Sequence, residues 1–200
     1  MKIVEIEQRF KEVTGLVDLD LSTPHFQKGD NQQQKTTKEE YRRFGFVCTP
    51  LWLVDEMLAP YMDTLTFDSK TCDACAGCGQ FSIRLMRKFH NKLIGMGVSD
   101  EKAEKFIVEH WLKRNHYFTE FQFSNVAKLV YVFGPDINVY AGDSLNMKHS
   151  GDNDSGILFF NKKGKRWDNL PRLHDMLVKL KDDLPALLLT FAAIEGKLPK

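Results

Sequence analysis

An aspartate that runs into Gly-x-Gly is a residue pattern able to hold a small ligand. Thr71-Cys72-Asp73-Ala74-Cys75-Ala76-Gly77-Cys78-Gly79-Gln80-Phe81 has that form. Gly77 and Gly79 lack a Cβ, so the main chain there can take positive φ and let a ligand lie against bare backbone. Asp73, at the end of a strand, can accept hydrogen bonds. Phe81, Leu85, Met86 and Phe89 recur at helical spacing, so the local reading is strand, glycine loop, helix.

A second carboxylate with a chemical reading is Glu120. Tyr117 to Phe123 alternates aromatic and polar residues as a strand does. In nucleotide-binding α/β folds, an acid closing the second strand accepts hydrogen bonds from ribose hydroxyls. The usual offset from the glycine loop is about 20 residues, and here it is roughly twice that. An extra helix between the two accounts for the difference.

Cys48, Cys72, Cys75 and Cys78 raise a rival reading, because Cys-x2-Cys-x2-Cys also opens iron–sulfur and zinc sites. Cys72 should lie within a buried strand and Cys75 at its end, where side chains alternate faces and do not converge on one ion. The expectation is therefore reduced, packed or loop cysteines and no metal.

These residues must be positioned by elements that the pattern also predicts. Ile3, Ile6, Phe10 and Val13, ended by Gly15, make a short amphipathic helix able to pack on the core or on a partner. From Asp18 to about Glu40 the chain turns polar and reads as a linker or mobile arm. Thr49 is a natural N-cap and Pro50 a natural first residue for a helix with Leu51, Val54, Leu58 and Tyr61 on one face. Ser99 opens a helix with Ala103, Phe106, Ile107, His110 and Trp111 inward. Ser124 caps another, with Val126, Leu129, Val130 and Phe133 inward and Gly134-Pro135 as its stop. Strands follow at Ile137–Tyr140 and Gly156–Phe160, and further helical or apolar runs at Pro171–Leu180 and Leu184–Ile194.

Several of these segments, taken in order, resemble the S-adenosylmethionine (AdoMet) methyltransferases, most closely the DNA adenine-N6 group. The loop resembles that family's Asp-Pro-x-Cys-Gly-x-Gly-x-Phe motif, with Asp73, Gly77, Gly79 and Phe81 matching, Ala74 in place of Pro and Gln80 in place of a common third Gly. Phe44-Gly45-Phe46-Val47-Cys48-Thr49-Pro50 resembles the Gly-x-Phe-x-Thr-Pro segment that lines the methionine end of AdoMet, about 24 residues upstream of Asp73. Ala141-Gly142-Asp143-Ser144-Leu145 resembles the segment whose aspartate faces the adenine amino group. The resemblance thus implies cofactor contacts at Thr49, Pro50, Asp73, Ala74, Gly77, Gly79, Phe81, Glu120, Asp143 and Ser144. It implies a catalytic role for Asn161, which stands where the family's Asn-Pro-Pro-Tyr begins. Here Lys162-Lys163-Gly164 replace both prolines and the aromatic that would grip a flipped base. Trp167 is near enough in sequence to offer stacking, although a tryptophan in that context is more often core.

The fold implied is α/β, a Rossmann-like methyltransferase sheet shortened at its C-terminus, in a domain spanning residues 41–200 behind a helix and polar linker at 1–40. Two hundred residues with 42% hydrophobic and 28% charged content suit one soluble domain, with no apolar run of membrane-spanning length and no signal peptide, hence a cytoplasmic expectation. A formal net charge of +1 gives no general attraction to phosphate backbones. DNA binding would then rely on a local patch or a partner protein supplying target recognition. Two functions follow: AdoMet-dependent methyl transfer to adenine N6, or an interaction module that keeps the methyltransferase shape as a subunit of a modification or restriction system.

Overall fold

The computed structural model describes residues 1–29, 35, 38, 42, 47–120, 122–141 and 159–160. Asp143, Ser144, Asn161, Trp167, the Phe44-Gly45-Phe46 part of the upstream segment and both C-terminal apolar runs lie outside the described residues.

The described elements run α1 (Ile3–Thr14), α2 (Leu51–Met62), β1 (Thr71–Asp73), α3 (Gln80–Gly95), α4 (Asp100–Lys105), a π-helical α5 (Phe106–Asn115), β2 (His116–Glu120), α6 (Phe123–Phe133), β3 (Asn138–Ala141) and β4 (Phe159–Phe160). The strands form one sheet in the order β1-β2-β3-β4. β1, β2 and β3 are parallel neighbours, with Cys72 opposite Tyr117 and Phe118 opposite Val139. This is a mixed α/β architecture in which helices cross between parallel strands, and β1 and β2 end on the same edge.

β4 departs from the expected βαβ alternation, because it pairs antiparallel with β3 through Val139–Phe160 and Tyr140–Phe159. A parallel strand needs a crossover of a dozen or more residues, usually a helix. The intervening sequence from Ala141 to Phe159 is rich in Gly, Asp, Asn and Ser and carries no apolar helical period.

One face of the sheet is closed by helices: Ser82 of α3 bonds Asp73, Trp111 of α5 stacks on His116, and Phe133 of α6 meets Phe118. The other face is open at Cys72 and Tyr117, both exposed, so β1 is not the buried strand that its sequence suggested. α1 takes the core option. Ile3, Ile6 and Phe10 are buried, Glu7 pairs with Arg87 of α3 at 2.6 Å, and Tyr131 of α6 donates to Glu12 at 2.7 Å.

The helix starts differ from expectation by a residue or two. Pro50, not Thr49, occupies the N-cap of α2, with extended backbone and its carbonyl taken by Leu53 and Val54 N–H. Gln122, not Ser124, caps α6, because Glu120 Oε1 holds the Gln122 N–H at 2.7 Å and starts the helix earlier. Tyr61 is 65% exposed and so leaves the inward face of α2. The helix opened by Ser99 widens into a π-helix at Phe106, which keeps Ile107 and Val108 in register with Trp111 and Leu112 against the core.

The expected solvated arm is also shorter than the polar composition implied. Leu21 and Phe26 are buried, and the backbone from Leu21 to Phe26 is strapped to α2 and α3. Arg84 donates to the carbonyls of Leu21 and Thr23, each at 2.8 Å, while Asp55 accepts the Phe26 N–H at 2.8 Å. Among the described residues no helix is long and apolar enough to cross a membrane.

Candidate functional site

The glycine loop sits at the carboxyl end of β1 and is fastened to the carboxyl end of β2. Ala76 N–H donates to the Thr119 carbonyl at 2.9 Å, and the Thr119 hydroxyl donates to the Ala74 carbonyl. Gly77 N–H donates to Glu120 Oε2 at 2.7 Å across 43 positions of sequence. The structure therefore brings Ala74, Gly77 and Glu120 together at the carboxyl ends of β1 and β2. It also shows Glu120 committed at both oxygens, to Gly77 and Gln122, in this state.

Gly77 and Gly79 both have positive φ, 54° and 91°. At Gly79 the need for glycine has a second cause inside the protein. A Cβ there would fall 2.6 Å from the Phe133 ring, so the cradle over Gly79 is filled by α6 and not left for a ligand. Gly79→Ala is expected to destabilise the fold by about 2 kcal/mol or more, from left-handed strain together with overpacking. In urea denaturation, adding Phe133→Leu should recover part of that loss; a Gly79→Ala protein as stable as the parent would refute the packing account.

Asp73 is the second carboxylate, and its surroundings differ from Glu120's. It accepts the Ser82 hydroxyl at 2.7 Å and the N–H groups of Ser82 and Cys75, so it caps α3 from the end of β1. Burial is the largest influence on it and pushes its pKa up to about 6, against the lowering effect of those hydrogen bonds. Ser82 in turn contacts His116 Nε2 at 2.8 Å, and His116 Nδ1 contacts Thr71 Oγ1 at 2.8 Å. His116 is 1% exposed, and its desolvation pulls its pKa down to about 3, which keeps the ring neutral at ordinary pH. Stacking on Trp111 at 4.7 Å would favour a cation, but burial outweighs it.

Of the remaining predicted cofactor residues, Phe81 is half-buried in the first turn of α3, and Thr49 and Pro50 are half-buried before α2. Four residues that sequence reading passed over belong to the same region: Ser82, Thr119, His116 and Asn125. Asn125 lies 1% exposed at the start of α6, accepts the Cys78 thiol at 3.6 Å, and leaves its Nδ2 unpartnered. Gln80 Nε2, beside Gly79, is likewise buried without a partner. Two amide donors with no acceptor beside a glycine loop suit a polar guest that brings acceptors of its own. Cys72 and Cys75 are exposed whereas Cys78 is buried. Burial, Asp73 and Cys75 all push the Cys72 thiol up, away from the reactive thiolate. No protein-family model matches the chain, and no match was found among curated proteins or among solved structures.

Proposed function

We propose that the carboxyl ends of β1 and β2 form a pocket for AdoMet and that the chain is a methyltransferase-like domain, with adenine N6 of DNA as the methyl acceptor. The observation that carries this reading is the 2.7 Å contact between Glu120 and Gly77. A ribose that lies against the glycine loop must be within reach of the acid that takes its hydroxyls, and these two groups touch. On entry the ribose would replace Gly77 and Gln122 as partners of Glu120, while the unpartnered amides of Gln80 and Asn125 supply donors. When bound, AdoMet supplies the electrophilic methyl, and the chain's part is to hold donor and acceptor in line. Asn161, from the resemblance, is assigned to the acceptor side.

Calorimetric titration with AdoMet tests the reading. One site is expected, with Glu120→Gln weakening it about 5- to 150-fold, the equivalent of about 1–3 kcal/mol for an unpaired buried partner. Asn161→Ala should leave AdoMet affinity nearly unaltered while removing transfer of labelled methyl to DNA. Equal affinity in a folded Glu120→Gln protein would sink the pocket assignment. The commitment of both Asp73 and Glu120 to protein partners supports a second reading, an interaction module that keeps the pocket's outline. No AdoMet binding, with or without a partner protein and DNA, would favour that module.

A further inference from the structure

The polar chain beneath the glycine loop is continuous: Thr71 Oγ1, His116 Nδ1, His116 Nε2, Ser82 Oγ and Asp73 Oδ2 follow one another at 2.8, 2.8 and 2.7 Å. Ser82 and His116 are almost wholly buried and Asp73 nearly so, while Thr71 is half-buried at the other end. Each hydroxyl owns one proton and a neutral imidazole owns one, so the direction of every bond is fixed once the state of Asp73 is fixed. With Asp73 ionised, Ser82 must donate to it. Ser82 then accepts from His116 Nε2–H, and His116 Nδ1 accepts from Thr71.

We infer that this chain is a buried tautomer relay, in which proton uptake at Asp73 reverses the hydrogen bonds and moves the imidazole proton of His116 from Nε2 to Nδ1. The atoms balance with one proton taken from solvent. Thr71 passes its hydroxyl proton to Nδ1 and recovers one from water. Nε2 passes its proton to Ser82, and the Ser82 proton goes to Asp73. Every link keeps a proton and the ring is never cationic, so no charge is created in the core. The relay has a consequence for the loop, because an ionised Asp73 is the anion that caps α3, and a protonated one loses that interaction with the helix N-terminus.

The groups around the chain leave this path intact. α3 presents Ser82, α5 presents the Trp111 ring, and the aromatic rings of Phe118 and Phe133 close the same side. The titratable neighbours are Cys72 on β1, Cys75 in the loop, and Glu120 at the end of β2, the last held by Gly77 and Gln122. None inserts between Asp73 and His116.

Nitrogen-15 NMR of the labelled full chain, with the His116 signals identified by their loss in His116→Gln, reads the tautomer directly and needs no ligand. Its outcome is therefore separate from that of the AdoMet titration. At pH 8 the proton is expected on Nε2 and at pH 5 on Nδ1, with a midpoint near pH 6, where burial places Asp73. A single neutral tautomer across that range, or an imidazolium, overturns the relay. Asp73→Asn and Ser82→Ala should each abolish the switch. A switch that persists in either folded variant also overturns it.

Discussion

Arg84→Met is expected to cost about 3–5 kcal/mol of stability, because it breaks a buried ion pair and strands the remaining charge. Arg84 and Asp55 are both fully buried, and the guanidinium is bidentate on the carboxylate at 2.8 and 2.9 Å. The same guanidinium holds the carbonyls of Leu21 and Thr23 and lies over the Phe26 ring at 4.5 Å. Burial alone would push the Asp55 carboxyl up. The Arg84 hydrogen bonds, the Phe26 N–H and the charges of Arg84 and Lys88 reverse that, so Asp55 stays ionised below the ordinary carboxylate range. Lys88 stands 3.2 Å from Asp55, so Asp55 keeps one cation in the variant, which favours the lower end of the range. Urea denaturation should show the loss as a lower midpoint, and limited proteolysis should open first within residues 18–29. Arg84→Met/Asp55→Leu should recover part of the loss, since well-packed apolar replacements of buried pairs are often neutral. A single variant within about 0.5 kcal/mol of the parent would show that the strap is held by apolar contacts alone.

That pair also shows where reading the sequence ends. The α3 face of Leu85, Met86 and Phe89 was legible from spacing, as were the stops at Gly15 and Gly134, because periodicity and glycine stops with positive φ are local properties. Arg84 sits within the same buried turn and reads locally as a solvated charge. Its partner is 29 residues away and its carbonyl acceptors more than 60. The polar stretch after Asp18 was read as an arm for the same reason, since a backbone that gains its partners from a distant guanidinium leaves no mark on its own composition. At the candidate site, the meeting of Glu120 with the loop was legible, since an acid at a strand end beside a glycine turn follows from parallel topology. The reason for glycine at position 79 was not, because it lies in the Phe133 ring at the far end of a helix that starts only at Phe123. His116 was passed over as the residue before an aromatic strand. A histidine opening a buried strand after a helix that presents Trp111 was the available signal.

The pH dependence of stability is expected to expose Asp73 and His116 as opposing terms. Asp73 has a folded pKa of about 6, above the ordinary aspartate value of 3.8. Its contribution is therefore fully present below pH 3.8 and is lost as pH rises through 6. His116 has a folded pKa of about 3, below 6.5. Its contribution is present above pH 6.5 and is lost as pH falls through 3. Between about pH 4 and 6 the folded state gains a proton at Asp73 that the unfolded chain lacks, and lacks the proton that the unfolded chain carries on histidine. The two slopes cancel in the parent. Removing one term leaves the other uncompensated, at a limiting slope of about 1.4 kcal/mol per pH unit. Relative to the parent, Asp73→Asn should gain stability as pH rises from 4 to 6, because only the histidine term survives. His116→Gln should lose stability over the same interval. Chemical denaturation at half-unit pH steps gives both difference curves, in which the other carboxylates drop out because parent and variant share them. Two curves of the same sign would show that one of these groups does not titrate as its burial dictates. Curves of opposite sign with similar slope would show that the fold holds a proton on a carboxyl while keeping a histidine bare, the condition under which a neutral chain can reverse without placing a charge in the core.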